Sequence, residues 1–323
     1  MSEDQPTKKK RFSILVCIDG SEESYQGLKE AALFGRGIDA DIILMYARLI
    51  DQGLHTGGLQ MNVIRGNILE WDMDIPGIRY LKKGRQLLLE LGNMSVDWEE
   101  TVTHQNVAGD PLGDHFIQHT NRQGKRIGLK LRTTTDIAQG IIDQQMEYRY
   151  DLVVLGGYGR RSLSERLLGL SPMASKVVRE AGCSVAVMRP GPEDKQGYLI
   201  VVDGSDRGMA TVDQTAIFIH RSGRPITLVT IAQDETEISR AQEQLDKVRE
   251  RLSLLGVQVK ETMFRVGDPE QEVLEAGRSF SATVLAAPAP KGQIARLFQE
   301  DVVYRILEKS DRSVFLVRSI WDI

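Results

Sequence analysis

The feature that most constrains this chain is an internal repeat. The segment Ile14–Ser21 returns as Leu199–Ser205, and both copies end in Asp-Gly-Ser after a run of apolar residues. The two copies are offset by 184 residues, and an apolar segment follows each at the same offset, Ile42–Leu44 and Ile226–Leu228. Because the same pattern occurs twice in one order, we expect one fold that is also present twice.

The later parts of the repeat have smaller offsets. Asp151–Leu155 resembles Ala282–Ala286 at an offset of 131, and Cys183–Val187 resembles Arg312–Leu316 at 129. The first copy therefore carries 53 extra residues before its Asp151 segment and two more after it. A stretch rich in Pro, Gly and charge separates the copies. The expected organisation is a disordered tail 1–11, a first domain 12–190 with an insertion at about 50–126, a linker 191–197 and a second domain 198–319.

Strand and helix patterns alternate through the second copy. The predicted strands are Leu199–Val202, Ile226–Ile231, Val257–Phe264, Thr283–Ala287 and Ser313–Val317. Apolar spacings of three and four residues predict helices at Thr211–Ile219, Glu237–Leu255, Glu270–Ser279 and Ile294–Lys309. Parallel strands need crossover connections, so this order indicates a parallel sheet with helices on both faces.

The first copy follows the same plan but is ambiguous in its middle. Its predicted strands are Phe12–Ile18, Ile42–Ala47, Leu152–Gly156 and Val185–Met188, with a helix at Ile78–Leu91. Two segments compete for the third strand, Val96–Thr103 and Ile127–Arg132. We favour the second, because it leads through a helix at Ile137–Met146 directly into the Asp151 segment. Gln52–Pro76 is interpreted as a long loop.

The fold class that follows is α/β. We expect two tandem, doubly wound three-layer sandwiches, each with a five-stranded parallel sheet.

Composition excludes several classes of function. The 41 Lys and Arg residues against 45 Asp and Glu give a net charge of −4, so no basic footprint for nucleic acid or an anionic membrane is present. Two cysteines, Cys17 and Cys183, exclude a disulfide scaffold and fit a reducing compartment. No apolar run approaches the ~20 residues that span a bilayer. The polar start, Met1–Arg11, is not a secretory signal, so we expect a cytoplasmic protein.

A glycine cluster after the Asp151 strand predicts an anion site. Gly156, Gly157 and Gly159 follow the strand, and Gly169 precedes the next helix with Ser171 close behind it. Glycine allows backbone N–H groups to approach a phosphate, and ligands of open parallel sheets bind where the strands end.

With these residues the sequence resembles the universal stress protein family over nearly its whole length. In that family the nucleotide-binding members carry Gly-x2-Gly-x9-Gly-Ser/Thr after the fourth strand, which Gly156, Gly159 and Gly169 match. Leu170 stands where the pattern has Ser or Thr, and Ser171 follows one place later. The resemblance implies an adenine nucleotide alpha hydrolase-like fold that binds ATP or AMP, with or without Mg²⁺.

The resemblance also indicates which residues would contact the adenosine part of the nucleotide. The family's Asp at the end of its first strand contacts adenine, which corresponds to Asp19, followed by Gly20 and Ser21. A residue at the end of the second strand lies along the adenosine, and Ala47 corresponds to it. A structural alternative stays open, because Asp-Gly-Ser also caps turns and helices without any ligand.

The second copy is predicted to be degenerate. It keeps Asp203-Gly204-Ser205, but Gly156 aligns with Ala287 and Gly159 with Pro290, which has no N–H to offer. Glu300 and Asp301 fall where Gly169 and Leu170 lie, and their carboxylates would repel a phosphate. We therefore expect a pairing domain that does not bind ATP.

The resulting hypothesis is a nucleotide-binding regulator of stress response or signalling. As family members pair through their last strands, the resemblance implies that Val185–Met188 and Val314–Val317 pair within this chain as an internal pseudo-dimer. The insertion would be the surface for a further homodimer. The alternative is a scaffold that binds no nucleotide and acts through an unknown protein partner.

No catalytic constellation stands out. At most the resemblance implies slow ATP hydrolysis, and we assign no catalytic residue and no metal ligand. His115 and His119, four residues apart beside Asp114, are predicted to form the polar face of an inserted helix rather than a metal site. Cys17, between apolar residues, is predicted to be buried and inert.

Overall fold

The computed structural model describes residues 11–50, 76–108, 110–157, 169–189, 196–203, 205–219, 223–286 and 300–318. We call the described residues up to 189 the N-terminal half and those from 196 onward the C-terminal half. Gly159, His55 and Trp71 lie outside the described residues. So does the predicted loop Gln52–Pro76, except for its last residue, Pro76, at which a helix begins.

Strands and helices alternate along the chain, as the sequence predicts, except that three strands follow one another between Glu99 and Thr134. The strands are β1 Ser13–Cys17, β2 Asp41–Leu49, β3 Glu99–Val107, β4 Asp110–Thr120, β5 Arg126–Thr134, β6 Leu152–Gly156, β7 Ser184–Met188, β8 Gln196–Val201, β9 Ile226–Ala232, β10 Glu261–Val266, β11 Phe280–Ala286 and β12 Ser313–Val317. The helices are α1 Glu22–Ile38, α2 Pro76–Glu90, α3 Ile137–Tyr148, α4 Pro172–Glu180, α5 Asp206–Ile219, α6 Ile238–Leu254, α7 Pro269–Gly277 and α8 Glu300–Lys309. A single 3-10 turn, Glu235–Glu237, precedes α6.

The described strands form one continuous sheet of twelve, in the order β10-β9-β8-β11-β12-β7-β6-β1-β2-β5-β4-β3. Neighbours within β10 to β12 are parallel, and so are those from β7 to β5. The α/β class with a mostly parallel sheet is thus confirmed. The strand count differs from two sheets of five, because the halves share one sheet and the N-terminal half adds two antiparallel strands.

The added strands settle which segment is the third strand of the repeat. β5 pairs in parallel with β2 from Ile42↔Ile127 to Leu49↔Thr134, so the preferred segment is the core strand. β3 and β4 form an antiparallel hairpin at the outer edge of β5. The prediction of a helix around His115 and His119 is wrong, because both residues lie on β4. On a strand, residues two and four apart share one face, so the spacing fitted both structures.

The two halves meet where β12 pairs with β7 in antiparallel fashion. The register joins Leu316 to Val185, Phe315 to Ala186 and Val314 to Val187. Position 186 plus the repeat offset of 129 is 315, so the central pair joins equivalent residues, and an approximate two-fold axis passes between them. The predicted pairing of the last strands within one chain is therefore present in the structure.

Two arginines complete this contact in a reciprocal way. The Arg189 backbone N–H donates to Ser313 Oγ at 3.1 Å, and the Arg318 N–H donates to Ser184 Oγ at 3.2 Å. Each guanidinium then reaches the last turn of the other half's final helix, Arg189 at the Leu307 carbonyl and Arg318 at the Val178 carbonyl. We call β7, β12 and these two arginine-serine pairs the joint. Helix carboxyl ends carry unpaired carbonyls and partial negative charge, so a guanidinium there satisfies both.

The core lies on both faces of the sheet. One face is covered by α1, α2, α5 and α6, and the opposite face by α3, α4, α7 and α8, with buried aliphatic residues from both halves in each cluster. In the first cluster Phe34, Phe218 and Phe315 pack edge to face across the two halves. None of the helices within the described residues is long and apolar enough to cross a membrane.

Candidate functional site

The carboxyl edge, the edge at which the parallel strands end, holds the Asp-Gly-Ser turn after β1. Asp19 Oδ1 accepts hydrogen bonds from the Ser21 N–H at 2.9 Å and from Ser21 Oγ at 2.6 Å. Ser21 Oγ in turn accepts from the Ser24 N–H at 3.2 Å and caps α1. Asp203 and Ser205 make the same contacts in the C-terminal half. The turn therefore has a structural role in both copies, whatever it binds.

Gly156 brings the end of β6 against this turn. A Cβ atom on Gly156 would lie 3.5 Å from Ser21 Oγ and 3.7 Å from the Ser24 backbone nitrogen. The bare backbone of Gly156 thus faces the amino end of α1, where N–H groups carry partial positive charge. Gly156 is itself buried, and the atom nearest to its Cβ position is Glu23 Cβ at 3.4 Å, so the end of β6 is packed on the first turn of α1.

Gly157 joins the amino end of a second helix to the same place. Its carbonyl accepts from the Ser171 N–H at 3.0 Å, and Ser171 Oγ accepts from the Ala174 N–H at 3.1 Å as the N-cap of α4. Pro172 at the first helical position fits this start of α4. The Ser171 hydroxyl is therefore committed to capping, and its neighbour Leu170 is 8% exposed and packed in the core.

Gly169 lies where the two halves touch. It has φ +82°, a left-handed conformation that glycine adopts most readily, and its Cβ position is 3.3 Å from the Glu308 carbonyl oxygen of α8. The end of the glycine cluster in the N-terminal half is thus packed on the final helix of the C-terminal half.

Ala47 lies on β2 at the same edge, and its side chain is half-buried on the face of α3 and α4. Its neighbour Tyr46 points to the other face, where its ring lies 5.8 Å from that of Tyr80 on α2. A Cβ on Gly20, which has φ +88°, would be 2.5 Å from Cε1 of Tyr80, so the ring lies directly on the Asp-Gly-Ser turn. Of the predicted residues, the structure brings Asp19, Gly20, Ser21 and Gly156 together, with Ala47 at the same edge.

Tyr46, Tyr80 and Arg48 were missed by the sequence reasoning. Arg48 is 3% exposed and forms an ion pair with buried Asp110, the first residue of β4. Asp110 Oδ1 also accepts from the Leu112 and Gly113 N–H groups at 2.9 Å. A position-by-position comparison of the repeat could have found them, since the C-terminal half has smaller residues at all three places.

Burial is the main cause of the shifted pKa values of the titratable groups around this edge. It raises the pKa of Tyr25 to about 12, with Tyr80 and Asp19 adding to the effect. Burial raises the pKa of the Cys17 thiol well above its ordinary value, and the nearby Asp19 carboxylate acts in the same direction. The thiolate, the nucleophilic form, is therefore suppressed, in line with an inert Cys17, although the structure leaves this residue half-buried rather than buried as predicted.

The histidines of β4 lie in a buried polar layer. The His115 ring is 4.4 Å from that of His104 and shares a hydrogen bond of 3.0 Å with the Leu112 carbonyl. His119 is 3.4 Å from Arg85 Nε and 3.5 Å from Glu100. Within the described residues no three His, Cys, Asp or Glu side chains are grouped so as to hold a metal ion.

The strand registers correct the alignment of the two copies by one residue. Ile14 pairs with Leu152 in the N-terminal half, and the equivalent Tyr198 pairs with Ala282 in the C-terminal half. The offset at this strand is therefore 130, and Gly156 corresponds to Ala286 rather than to Ala287. The sequence alone favoured 131 because short apolar segments align almost equally well at neighbouring registers.

Comparisons with known proteins agree with this architecture. Residues 117–189 match the model of the Universal stress protein family. A universal stress protein of Archaeoglobus fulgidus DSM 4304 is 13% identical, with a TM-score of 0.52 over 95% of this chain and 96% of that one. A protein of unknown function from Pseudomonas aeruginosa PAO1 is 12% identical, with a TM-score of 0.60 over 95% and 92% of the two chains.

At these identities the solved structures show the fold alone. No curated protein matches the sequence significantly. The resemblance to the family therefore rests on the matched segment, which includes β5, β6 and the sequence of the glycine cluster. Residues 117–189 therefore resemble the Universal stress protein family, and the whole chain shares its fold with solved universal stress proteins.

Proposed function

We propose that this protein binds an adenine nucleotide, ATP or AMP with or without Mg²⁺, at the carboxyl edge of its N-terminal half. It acts as a regulator in a stress response or in signalling, in the cytoplasm. In this proposal residues 12–190 and 198–319 are two tandem domains, and the second serves as the pairing partner of the first.

The observation that carries the proposal is the approach of Gly156 to the amino end of α1. Ser21 Oγ and the Ser24 nitrogen lie 3.5 and 3.7 Å from the Cβ position of a residue that has no Cβ. The amino end of α4, held to Gly157 by the Ser171 N–H, opens on the same strand end. Two helix amino ends beside a glycine strand end are elements of an anion site.

The contact between Gly169 and Glu308 supports a regulatory role. A ligand that orders the glycine cluster differently in its bound state would act directly on α8 through this contact. Such a ligand shifts the protein only as far as its affinities for the two states differ.

The first experiment measures ligand and stoichiometry together. Mass spectrometry of the molecules released on denaturing freshly purified protein, with calorimetric titration of AMP and ATP, gives both. We expect one adenine nucleotide per chain. In Gly156→Ala the added methyl group lies no closer than 3.4 Å to its nearest neighbours, which is an ordinary contact distance. We therefore expect the fold to be kept and the approach of a phosphate to be blocked.

A matched pair of serine variants separates binding from stability. Ser21→Ala and Ser205→Ala each remove an N-cap, which costs about 1 kcal/mol of stability in either half. Only Ser21→Ala is expected to weaken nucleotide binding. Equal weakening by both, or no released nucleotide and no heat with either ligand, would overturn the proposal.

The second candidate is the scaffold that binds no nucleotide. It is favoured by β3, an edge strand of nine residues of which eight are exposed. An exposed edge offers free backbone groups to another strand. Absence of nucleotide together with a protein partner that is lost on deleting 99–120 would support it.

A further inference from the structure

The strand β3 forms one outer edge of the twelve-stranded sheet, and its single neighbour among the described strands is β4. Eight of its nine residues are exposed, and Val102, its most central aliphatic residue, is 56% exposed. The backbone N–H and C=O groups along the outer side of an edge strand can pair with another strand. Natural proteins normally prevent this with lysine, proline or a very short edge.

The opposite edge of the sheet carries such protection. The strand β10, Glu261–Val266, has six residues, contains Arg265 and follows directly on Lys260. By contrast, β3 has nine residues and contains no lysine, arginine or proline. Of the two edges, β3 is therefore the one that is suited to accept a further strand.

The regular part of β3 has a defined centre. Its register with β4 is uninterrupted from Glu99 to Gln105 and becomes irregular after Gln105. The regular part is therefore the segment of seven residues 99–105, and Val102 is its middle residue. A two-fold axis through Val102 pairs this segment with itself, in antiparallel fashion, over its full length.

An apolar row across the sheet ends at Val102. This residue lies opposite Ile117 of β4, and Ile117 lies opposite Leu129 of β5. Both Ile117 and Leu129 are buried, so the row is exposed to solvent at its last member. A second Val102 directly opposite the first would cover it, because the Cβ atoms of opposed residues are about 4.5–5.5 Å apart.

The charges of β3 agree with the same axis. Residues whose numbers add up to 204 become opposed, so Glu100 of one copy faces His104 of the other, twice in the pair. Glu100 is 3.5 Å from His119 of its own chain, yet half of its side chain stays exposed. No two carboxylates are opposed, and the remaining cross-strand pairs are Glu99 with Gln105 and Thr101 with Thr103. Threonine pairs and pairs of opposite charge stabilise antiparallel strands, whereas like charges destabilise them.

We propose that β3 is a homodimer interface, at which residues 99–105 pair with the same segment of a second copy across a two-fold axis at Val102. The sheets of the two copies then continue into one another. The sequence suggested the whole insertion as the surface for a further homodimer, and the proposal narrows this to one strand and one register. It does not depend on nucleotide binding by the N-terminal half.

Sedimentation of the full chain over a range of concentrations measures the association. A single strand pair is a small interface, so we expect a dimer with a Kd on the order of 10 µM. Val102→Lys places two ammonium groups opposite each other at the axis and should raise this Kd at least about tenfold. Val96→Lys is the matched control, because Val96 is 77% exposed and lies outside β3, and its Kd should stay unchanged. Both positions are exposed, so we expect the fold to be kept.

Val102→Cys tests the register. Residues opposed in an antiparallel pair have Cα atoms about 4.5–5.5 Å apart, within the range that a disulfide spans. Oxidised glutathione should therefore link two copies of this variant, which a gel run without reductant detects. Val96→Cys and the unmodified chain, with its native Cys17 and Cys183, should stay unlinked.

Three results would overturn the proposal. The first is an unmodified chain that remains a monomer at about 100 µM, well above the expected Kd. The second is a dimer that Val102→Lys weakens no more than Val96→Lys does. The third is a Val102→Cys variant that forms no more cross-linked dimer than Val96→Cys.

Discussion

The joint and the carboxyl edge differ in how closely the two halves repeat each other. At the joint, equivalent serines accept from equivalent arginines at 3.1 and 3.2 Å, and equivalent carbonyls receive their guanidinium groups. At the edge, β2 carries Tyr46 and Arg48 and α2 carries Tyr80, whereas the C-terminal half has smaller residues at the equivalent positions. One backbone plan is therefore compatible with a filled edge and with an open one, and side-chain volume decides which.

The largest expected effect tests the filled edge. Arg48→Ala introduces the residue found at the equivalent position 232 and leaves the Asp110 carboxylate buried without its cation. Breaking a buried pair in this way costs about 3–5 kcal/mol, to be read from urea unfolding. The control is Arg251→Ala, whose partly exposed pair with Asp213 should be worth about 1 kcal/mol or less. Similar losses of unfolding free energy in the two variants would mean that the buried pair of Arg48 does not stabilise this edge more than an exposed ion pair does.

The next effect concerns the hairpin. Burial, reinforced by His104, lowers the pKa of His115 to about 4, while Leu112 and Asp114 oppose the shift and Lys130 adds to it. The unfolded chain, with a pKa near 6.5, then binds a proton that the folded chain does not, so stability should fall as pH drops from about 6.5 to about 4. The loss is at most about 3 kcal/mol.

His115→Gln removes this titration, and the pH dependence of unfolding in that range should flatten. His104→Gln is the matched control on the neighbouring strand, and most of the dependence should persist there. An unchanged profile in His115→Gln would assign the dependence to other groups.

A smaller effect tests the symmetry of the joint. Arg189→Ala and Arg318→Ala each remove charged hydrogen bonds to a helix carboxyl end, and we expect about 2 kcal/mol from each. Thermal unfolding of the two variants and of the double variant measures both. A loss of stability in only one of the two variants would show that the two halves of the joint contribute unequally, although their geometry is symmetric.

The smallest effect compares ion pairs between the last two helices of each half. Glu270 accepts from Lys309 and Arg305 at 2.5 Å, which lowers the pKa of its carboxyl. This contribution is present above about pH 4.5 and is lost as pH falls. Glu270→Gln should cost about 1 kcal/mol at neutral pH.

The equivalent contact in the N-terminal half joins Lys176 to Asp136 at 3.5 Å and is more exposed. Lys176→Met should therefore shift the midpoint of chemical unfolding less than Glu270→Gln. A larger shift from Lys176→Met would reverse this comparison.

The sequence predicted most of the fold because the repeat supplied five strands twice; β3 and β4 occur once. The third strand of the N-terminal half was chosen correctly, since Ile127–Arg132 continues into a helix and then into the Asp151 segment. The sequence could not predict the β3–β4 hairpin, because the spacing of His115 and His119 fits a helix as well as a strand. The sequence also missed the role of Tyr80, which reaches Gly20 only through the packing of α2 over β2 and against α1.

The sequence by itself determined the alternating elements, the duplication and the glycine-rich strand end, because periodicity and backbone freedom are local properties. Tertiary structure decided the one-residue register of β11, the single sheet shared by both halves, and which edge is filled. These depend on backbone pairing and on side-chain volumes from elements distant in the chain, and neither is written in any one segment.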